Sequence, residues 1–200
     1  MCADRVIQPD SGNRLVLSDD GGGPSLAIET NQDVNITNGD IYFGTAGKGI
    51  VLGSTSNVDA NTLDDYEIGT FGGTAADAIL YSTGGSNTIT CGTHGLLSYT
   101  KIGRAVHITG EVVVTAISSP SGVTRLKLPF PIGDGANLSQ RGACAFGAYG
   151  VAYGSGTYAV INWSEGESYA NLQTLGDGLT WGNITLSVSD ELLFTFTYFT

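Results

Sequence analysis

The sequence predicts an all-β protein, in which an extended N-terminal β arm is followed by a β-sandwich or jelly-roll head. Apolar residues recur at every second position in short runs, which is the periodicity of a strand with one buried face. Glycine supplies 30 of the 200 residues, about twice the average usage, and it clusters with Asn and Asp between these runs as in tight turns. No helix is predicted, because the nearest candidate, residues 75–81, is short and bounded by glycines.

Residues 1–62 are predicted to form the arm, because apolar pairs separated by one residue recur there between turn-forming segments. The pairs are Leu15 and Leu17, Leu26 and Ile28, Val34 and Ile36, Ile41 and Phe43, and Ile50 and Leu52. Each pair gives one very short strand, and one chain of such strands buries too little apolar surface to offset its ordering entropy.

Three chains around a common axis would supply the missing neighbours, so the arm is expected to be a trimeric β-prism or a triple-stranded β-helix. The expected trimer contacts are Leu26, Ile28, Val34, Ile36, Ile41, Phe43, Ile50 and Leu52. The composition also permits the alternative of a disordered polar arm.

Residues 63–200 are predicted to form the head, after a polar and irregular linker at 54–65. Val106, Ile108, Val112 and Val114 share one face of a run whose other face is largely polar, which is typical of a half-buried antiparallel strand. Further strands are predicted at 124–128, 145–153, 156–163, 183–189 and 192–199. Several strands joined by short turns indicate a sandwich or jelly roll. The aromatic-rich last run is expected to lie centrally, because it would be an aggregation-prone edge if exposed.

The charge balance excludes several classes of partner. The chain has 8 basic and 19 acidic residues, a net charge of −11, so phosphate backbones and anionic membranes would repel it. No run approaches the roughly 18 apolar residues of a membrane helix, and residues 1–5 lack the apolar core of a signal peptide. Cys2, Cys91 and Cys144 have no metal-ligand spacing and are expected to be reduced thiols of a protein made in a cytoplasm.

No residue pattern indicates catalysis, a cofactor or a metal site. His94 and His107 lie in no zinc-binding motif, and residues 44–49 lack the Ser or Thr with which a phosphate-binding loop holds magnesium. Trp163 and Trp181, with four tyrosines near them in the sequence, could stack on a sugar, but aromatic residues in strands more often belong to the core.

Two segments resemble virion proteins of tailed bacteriophages. Residues 63–71 read LDDYEIGTF, preceded by GKGI at 47–50, and this resembles a junction that is common in those proteins. The YTKIGR of residues 99–104, which leads into the Val106 strand, resembles the start of their β head. The resemblance covers residues 40–160. It departs from the family at Ile68, where members often carry a second glutamate.

The resemblance implies a bacteriophage virion structural protein and not an enzyme, because the family comprises tail-fibre and head-decoration proteins that are usually trimeric. The first hypothesis is a homotrimeric capsid decoration or cement protein, made in the host bacterial cytoplasm, whose arm grips the major capsid protein or other virion proteins. The second is a tail-fibre or adhesin subunit that binds a host surface receptor such as a glycan. A depolymerase spike is not expected, because the chain is too short for a long β-helical body.

The junction has a physical interpretation within this resemblance. Its residues are Leu63, Asp64, Asp65, Tyr66, Lys101 and Arg104. The leucine and the tyrosine would anchor the linker, and the two aspartates would accept hydrogen bonds at the turn into the head. Gly69 would permit a tight bend. The lysine and the arginine would form ion pairs between subunits with the acidic junction.

Overall fold

The computed structural model describes residues 15–18, 24–28, 34–36, 40–44, 49–51, 62–63, 65–73, 78–84, 88–92, 94–135, 140–153, 156–176, 178 and 180–200. The chain divides into two compact units, Met1–Lys48 and Gly49–Thr200. The described residues form strands in both units and no helix, so the all-β prediction is confirmed.

The described part of the first unit contains a three-stranded antiparallel sheet. Its strands are β1 (Leu15–Ser18), β2 (Pro24–Ile28) and β3 (Val34–Asn35), and they follow one another in sheet order. Leu15 pairs with Ile28 and Leu17 with Leu26, so apolar residues of neighbouring strands lie opposite each other. Asp40–Gly44, which include the predicted pair Ile41 and Phe43, form no strand. The trimeric β-prism or β-helix stays a prediction.

The second unit contains a short hairpin and two larger antiparallel sheets. The hairpin pairs β4 (Ile50–Val51) with β5 (Thr62–Leu63). The other strands are β6 (Tyr66–Gly72), β7 (Leu80–Gly84), β8 (Thr88–Cys91), β9 (Leu96–Ile102), β10 (Ala105–Ser118), β11 (Ser121–Lys127), β12 (Gly142–Ala145), β13 (Gly147–Tyr149), β14 (Thr157–Trp163), β15 (Tyr169–Gly176), β16 (Trp181–Asn183) and β17 (Glu191–Phe199).

The first sheet has the order β13-β17-β10-β9-β6, with β8 also paired to β10. The second sheet has the order β12-β14-β15-β11-β7, with β16 also paired to β15. One apolar core contains residues of both sheets, for example Ile108 and Phe194 of the first with Leu126 and Leu172 of the second. This arrangement is that of a β-sandwich, while the finer jelly-roll topology stays a prediction.

The last strand is the second strand of the first sheet. β17 pairs with β10 along its whole length and with β13 only from Glu191 to Leu193, so the predicted central position is confirmed for the first third of the strand. Alternate residues of β17, from Leu192 to Tyr198, are buried in the core. Two side-chain contacts link this strand to neighbouring parts of the sandwich. Phe196 packs on Trp163 of β14 with ring centroids 5.5 Å apart, and Tyr198 Oη donates a hydrogen bond to Phe130 O at 2.9 Å.

The predicted single strand over residues 145–153 is wrong, because the chain changes sheets within it. β12 belongs to the second sheet and β13 to the first, and Phe146 lies between them. The ring of Phe146 stacks on Phe194, with centroids 5.3 Å apart, so the crossover packs against the core.

Candidate interaction surface at the junction

An apolar row crosses four strands on the outer face of the first sheet. Tyr66 of β6 pairs with Ile102 of β9, Ile102 pairs with Ala105 of β10, and Ala105 pairs with Phe199 of β17. Directly paired residues of an antiparallel sheet point to the same face. The side chains of this row therefore lie side by side at one end of the sheet.

The large side chains of this row are exposed. Tyr66 is 65% exposed, Ile102 48% and Phe199 50%, and Ile68, in the next row of β6, is 65% exposed. We call Tyr66, Ile68, Ile102 and Phe199 the junction patch. Single exposed apolar residues are ordinary, whereas adjacent ones form a larger apolar patch, which makes this face a candidate interaction surface.

The structure brings the predicted junction residues Asp65 and Lys101 together. Lys101 Nζ donates a hydrogen bond to the Asp65 carboxylate, forming an ion pair. This pair lies within one chain, because β6 and β9 are neighbours. Ion pairing between subunits stays a prediction. Arg104 forms no such pair among the described residues; its Nε donates to the carbonyl oxygen of Thr200 at 2.7 Å. Asp64 lies outside the described residues.

The interpretation of Gly69 as a bend is wrong. Gly69 lies inside β6, directly opposite Tyr99 of β9. A Cβ at this position would lie 2.6 Å from Tyr99 Oη, so the glycine makes room for the tyrosine ring. That ring packs edge-on against Phe130 at 5.2 Å, and its hydroxyl donates to Glu67. The bond to Glu67 raises the pKa of Tyr99, because it is made by the protonated hydroxyl.

The predicted trimer contacts of the arm fall in different places. Leu26 and Ile28 lie in β2 and Val34 in β3, where the structure describes the backbone alone. Ile36 is half-buried, whereas Ile41, Phe43 and Ile50 are exposed. Leu52 lies outside the described residues. Leu63, at the end of β5, is also exposed and remains a candidate anchor of the junction.

The reactive side chains of the described residues are dispersed. His107 Nδ1 lies 3.1 Å from Thr197 Oγ1 on the outer face of the first sheet, and His94 is exposed in a turn. Burial raises the pKa of the Cys91 thiol to about 11 and also raises that of Cys144. The described residues contain no cluster of His, Cys, Asp and Glu that could hold a metal ion.

Sequence reasoning identified Tyr66 but missed Ile102 and Phe199 as surface residues. Phe199 was counted with the buried aromatics of the last strand, although its spacing from Phe196 places it on the face of Thr195 and Thr197. The alternation in this strand could have found it, because every second residue faces the solvent side. Ile102 and Phe199 lie close together only because of the strand order in the sheet, which the local sequence pattern does not predict.

In the part of the chain that the structure describes, no helix is long and apolar enough to cross a membrane. No protein-family model matches the sequence, and no curated protein matches it significantly.

Proposed function

We propose that this chain is a structural protein of a bacteriophage particle, a homotrimer that decorates and stabilises the capsid. The observation that carries the proposal is the junction patch. Its four apolar side chains lie on the first sheet and are 48–65% exposed. In the assembled protein they would be covered by sister chains.

A sister chain suits the patch better than a small ligand does. The patch is a flat row along paired strands, and small-molecule sites are usually concave. The core of a protein–protein interface is apolar and aromatic, and tyrosine, isoleucine and phenylalanine fit that composition. Closed symmetry would bring identical patches around one axis and leave no copy exposed.

The position of the patch in the chain connects it to the arm. Tyr66 begins β6, shortly after the hairpin of β4 and β5, so the patch lies where the chain enters the two large sheets. The short strands of the first unit are the part of the chain expected to need neighbours. Sister chains would supply the neighbours that both the arm and the patch need.

The second candidate is a tail-fibre or adhesin subunit that binds a host surface receptor. It is favoured by a groove on the outer face of the second sheet, where Trp181 lies beside Asn162, Asn171 and Gln173. In both candidates the head would face outward from the particle. They differ in where the protein attaches and in how many copies a particle holds.

Immunogold labelling of purified particles, with counting of the copies per particle, tests the proposal. Label distributed over the shell at high copy number is the expected result, and label confined to the tail tip at a few copies would support the adhesin. Absence of the chain from purified particles would contradict both candidates.

Re-addition of purified protein to particles that lack it tests the role of the arm. The full chain should bind and restore capsid stability to heat, whereas a chain without residues 1–48, the first compact unit and most of the predicted arm, should not bind. Undiminished binding by the truncated chain would show that the second unit attaches to the particle.

A further inference from the structure

A groove of about 480 Å³ lies on the outer face of the second sheet. Asn162 of β14 and Asn171 and Gln173 of β15 contribute side chains to it, and Arg141 lies at its edge just before β12. The groove has room because β12 carries Ala143, a small residue, opposite Asn162. All of these residues belong to one chain.

A hydrogen-bonded relay fixes the orientation of the amide groups. Arg125 Nε donates to Asn171 Oδ1 at 3.2 Å, Asn171 Nδ2 donates to Asn162 Oδ1 at 3.3 Å, and Asn162 Nδ2 donates to Gln173 Oε1 at 3.0 Å. An arginine can only donate, so the amide beside it must present its oxygen, and each following amide is oriented in turn. The relay therefore ends with the nitrogen of Gln173.

The groove consequently offers donors to a ligand. Among the described residues, the Gln173 side-chain nitrogen has no protein acceptor, and the guanidinium of Arg141 has no ion-pair partner. None of the residues that line the groove is acidic, although the chain has 19 acidic residues. An unpaired arginine beside an amide donor, with no competing carboxylate, matches a ligand carboxylate.

An aromatic row borders these polar groups. Trp181 of β16 pairs with Leu175 of β15, and Leu175 pairs with Tyr158 of β14, so the three side chains point to the same outer face as the groove. Trp181 is 49% exposed and Tyr158 70%. Exposed rings with polar edges beside hydrogen-bonding amides suit a ligand that has an apolar face and a polar rim. A pyranose ring has both.

We propose that this groove binds an oligosaccharide that carries a carboxylate. Arg141 pairs with the carboxylate, Gln173 donates to a ring or hydroxyl oxygen, and Trp181 packs against the apolar face of a sugar. This inference deepens the proposed function, because it gives the outward-facing head a class of surface ligand. It applies to a capsid decoration protein and to an adhesin alike.

Calorimetric titration of the full chain with hexasaccharides of galacturonic acid, glucuronic acid and sialic acid tests the proposal. At least one acidic hexasaccharide should bind. The affinity of its neutral methyl ester should be at least about tenfold lower, in line with the loss of a charge-assisted hydrogen bond. Added salt should weaken binding of the acid and leave the ester unchanged.

Two variants assign the binding to the groove. Arg141→Gln should lower the affinity for the acid about tenfold and abolish the difference between acid and ester. Trp181→Ala should weaken acid and ester equally. The matched controls are Arg104→Gln and Tyr149→Ala, which make the same kinds of change on the first sheet and should leave affinity unchanged.

Three results would overturn the proposal: failure of all three acidic hexasaccharides to bind at millimolar concentration, an Arg141→Gln variant that binds as the unaltered chain does, or a hexaglutamate peptide that binds as tightly as the best sugar. None of these results would bear on the trimer or on the particle, because the groove lies within one chain and is measured on isolated protein.

Discussion

The glycine opposite Tyr99 gives the most sharply defined stability prediction. In Gly69→Ala the new Cβ would lie 2.6 Å from Tyr99 Oη and 2.7 Å from Cζ. The ring has little freedom to withdraw, because it contacts Phe130 and Phe71 and its hydroxyl is bonded to Glu67. Overpacking of this kind costs about 1–3 kcal/mol, while replacing a strand glycine by alanine returns about 0.5–1 kcal/mol.

The difference between these two effects predicts that the free energy of unfolding falls by up to about 2.5 kcal/mol. Urea unfolding followed by circular dichroism, at one fixed protein concentration, measures it. The control is the same substitution in a Tyr99→Ala background, where the clash is absent and Gly69→Ala should be neutral or slightly stabilising. If Gly69→Ala had the same effect in both backgrounds, the claim that the glycine avoids a steric clash with the Tyr99 ring would be contradicted.

Three buried groups, Tyr198, Ser82 and Cys91, give four further predictions. Tyr198→Phe should destabilise the fold by about 1–3 kcal/mol, because it leaves the backbone of Phe130 without its partner; Tyr149→Phe, at an exposed site, should have no effect in the same urea assay. Burial raises the pKa of Tyr198 above its ordinary 10.0. The stability that depends on the neutral hydroxyl is therefore present below pH 10 and is lost as the pH rises through the folded-state pKa. In urea unfolding, Tyr198→Phe should lose less of its free energy of unfolding over this pH range than the unaltered chain does. Ser82→Ala should be neutral or stabilising by up to about 1 kcal/mol, because the buried Ser82 hydroxyl has no partner among the described residues, and a clear loss of stability would contradict this. Cys91, whose pKa is about 11, should be alkylated by iodoacetamide far more slowly at pH 8 than at pH 10.5, as mass spectrometry of the modified peptide would report; fast alkylation at pH 8 would contradict the burial.

Local alternation was sufficient to predict the long strands of the core. In β10 the core of the sandwich is faced by Val106, Ile108, Val112 and Val114, and in β17 it is faced by alternate residues in the same way. In both strands the apolar residues repeat with the period of the pleat, so the buried face can be read without knowing the neighbouring strand. The prediction that β17 lies inside its sheet followed from the cost of exposing such a strand at an edge.

Strands with weak alternation and features that depend on distant neighbours were missed. β15 buries Ala170 and Thr174, which are too small or too polar to indicate a buried face by pattern. The change of sheet at Phe146 could not be predicted from the sequence, because apolar residues alternate both before and after it. The interpretation of Gly69 failed because its cause is Tyr99, a residue of the adjacent strand.

The groove on the second sheet was hidden for the same reason. Trp181 was considered as part of a sugar-stacking surface, but Asn162, Asn171 and Gln173 had no evident connection with it in the sequence. They meet because β14, β15 and β16 are neighbours in register. That Arg141 has no ion-pair partner among the described residues depends on where the other charged side chains lie, which the sequence does not show.

The native mass of the full chain in solution tests the central claim, that the junction patch joins three copies, most directly. Light scattering at micromolar concentration should give three times the 20.6 kDa mass of one chain. Ile102→Glu should yield monomers, because it places a charge in the covered patch, whereas Val188→Glu, at an exposed apolar residue outside the patch, should leave the trimer intact. A monomeric unaltered chain, or a trimer that Ile102→Glu does not disturb, would contradict the claim.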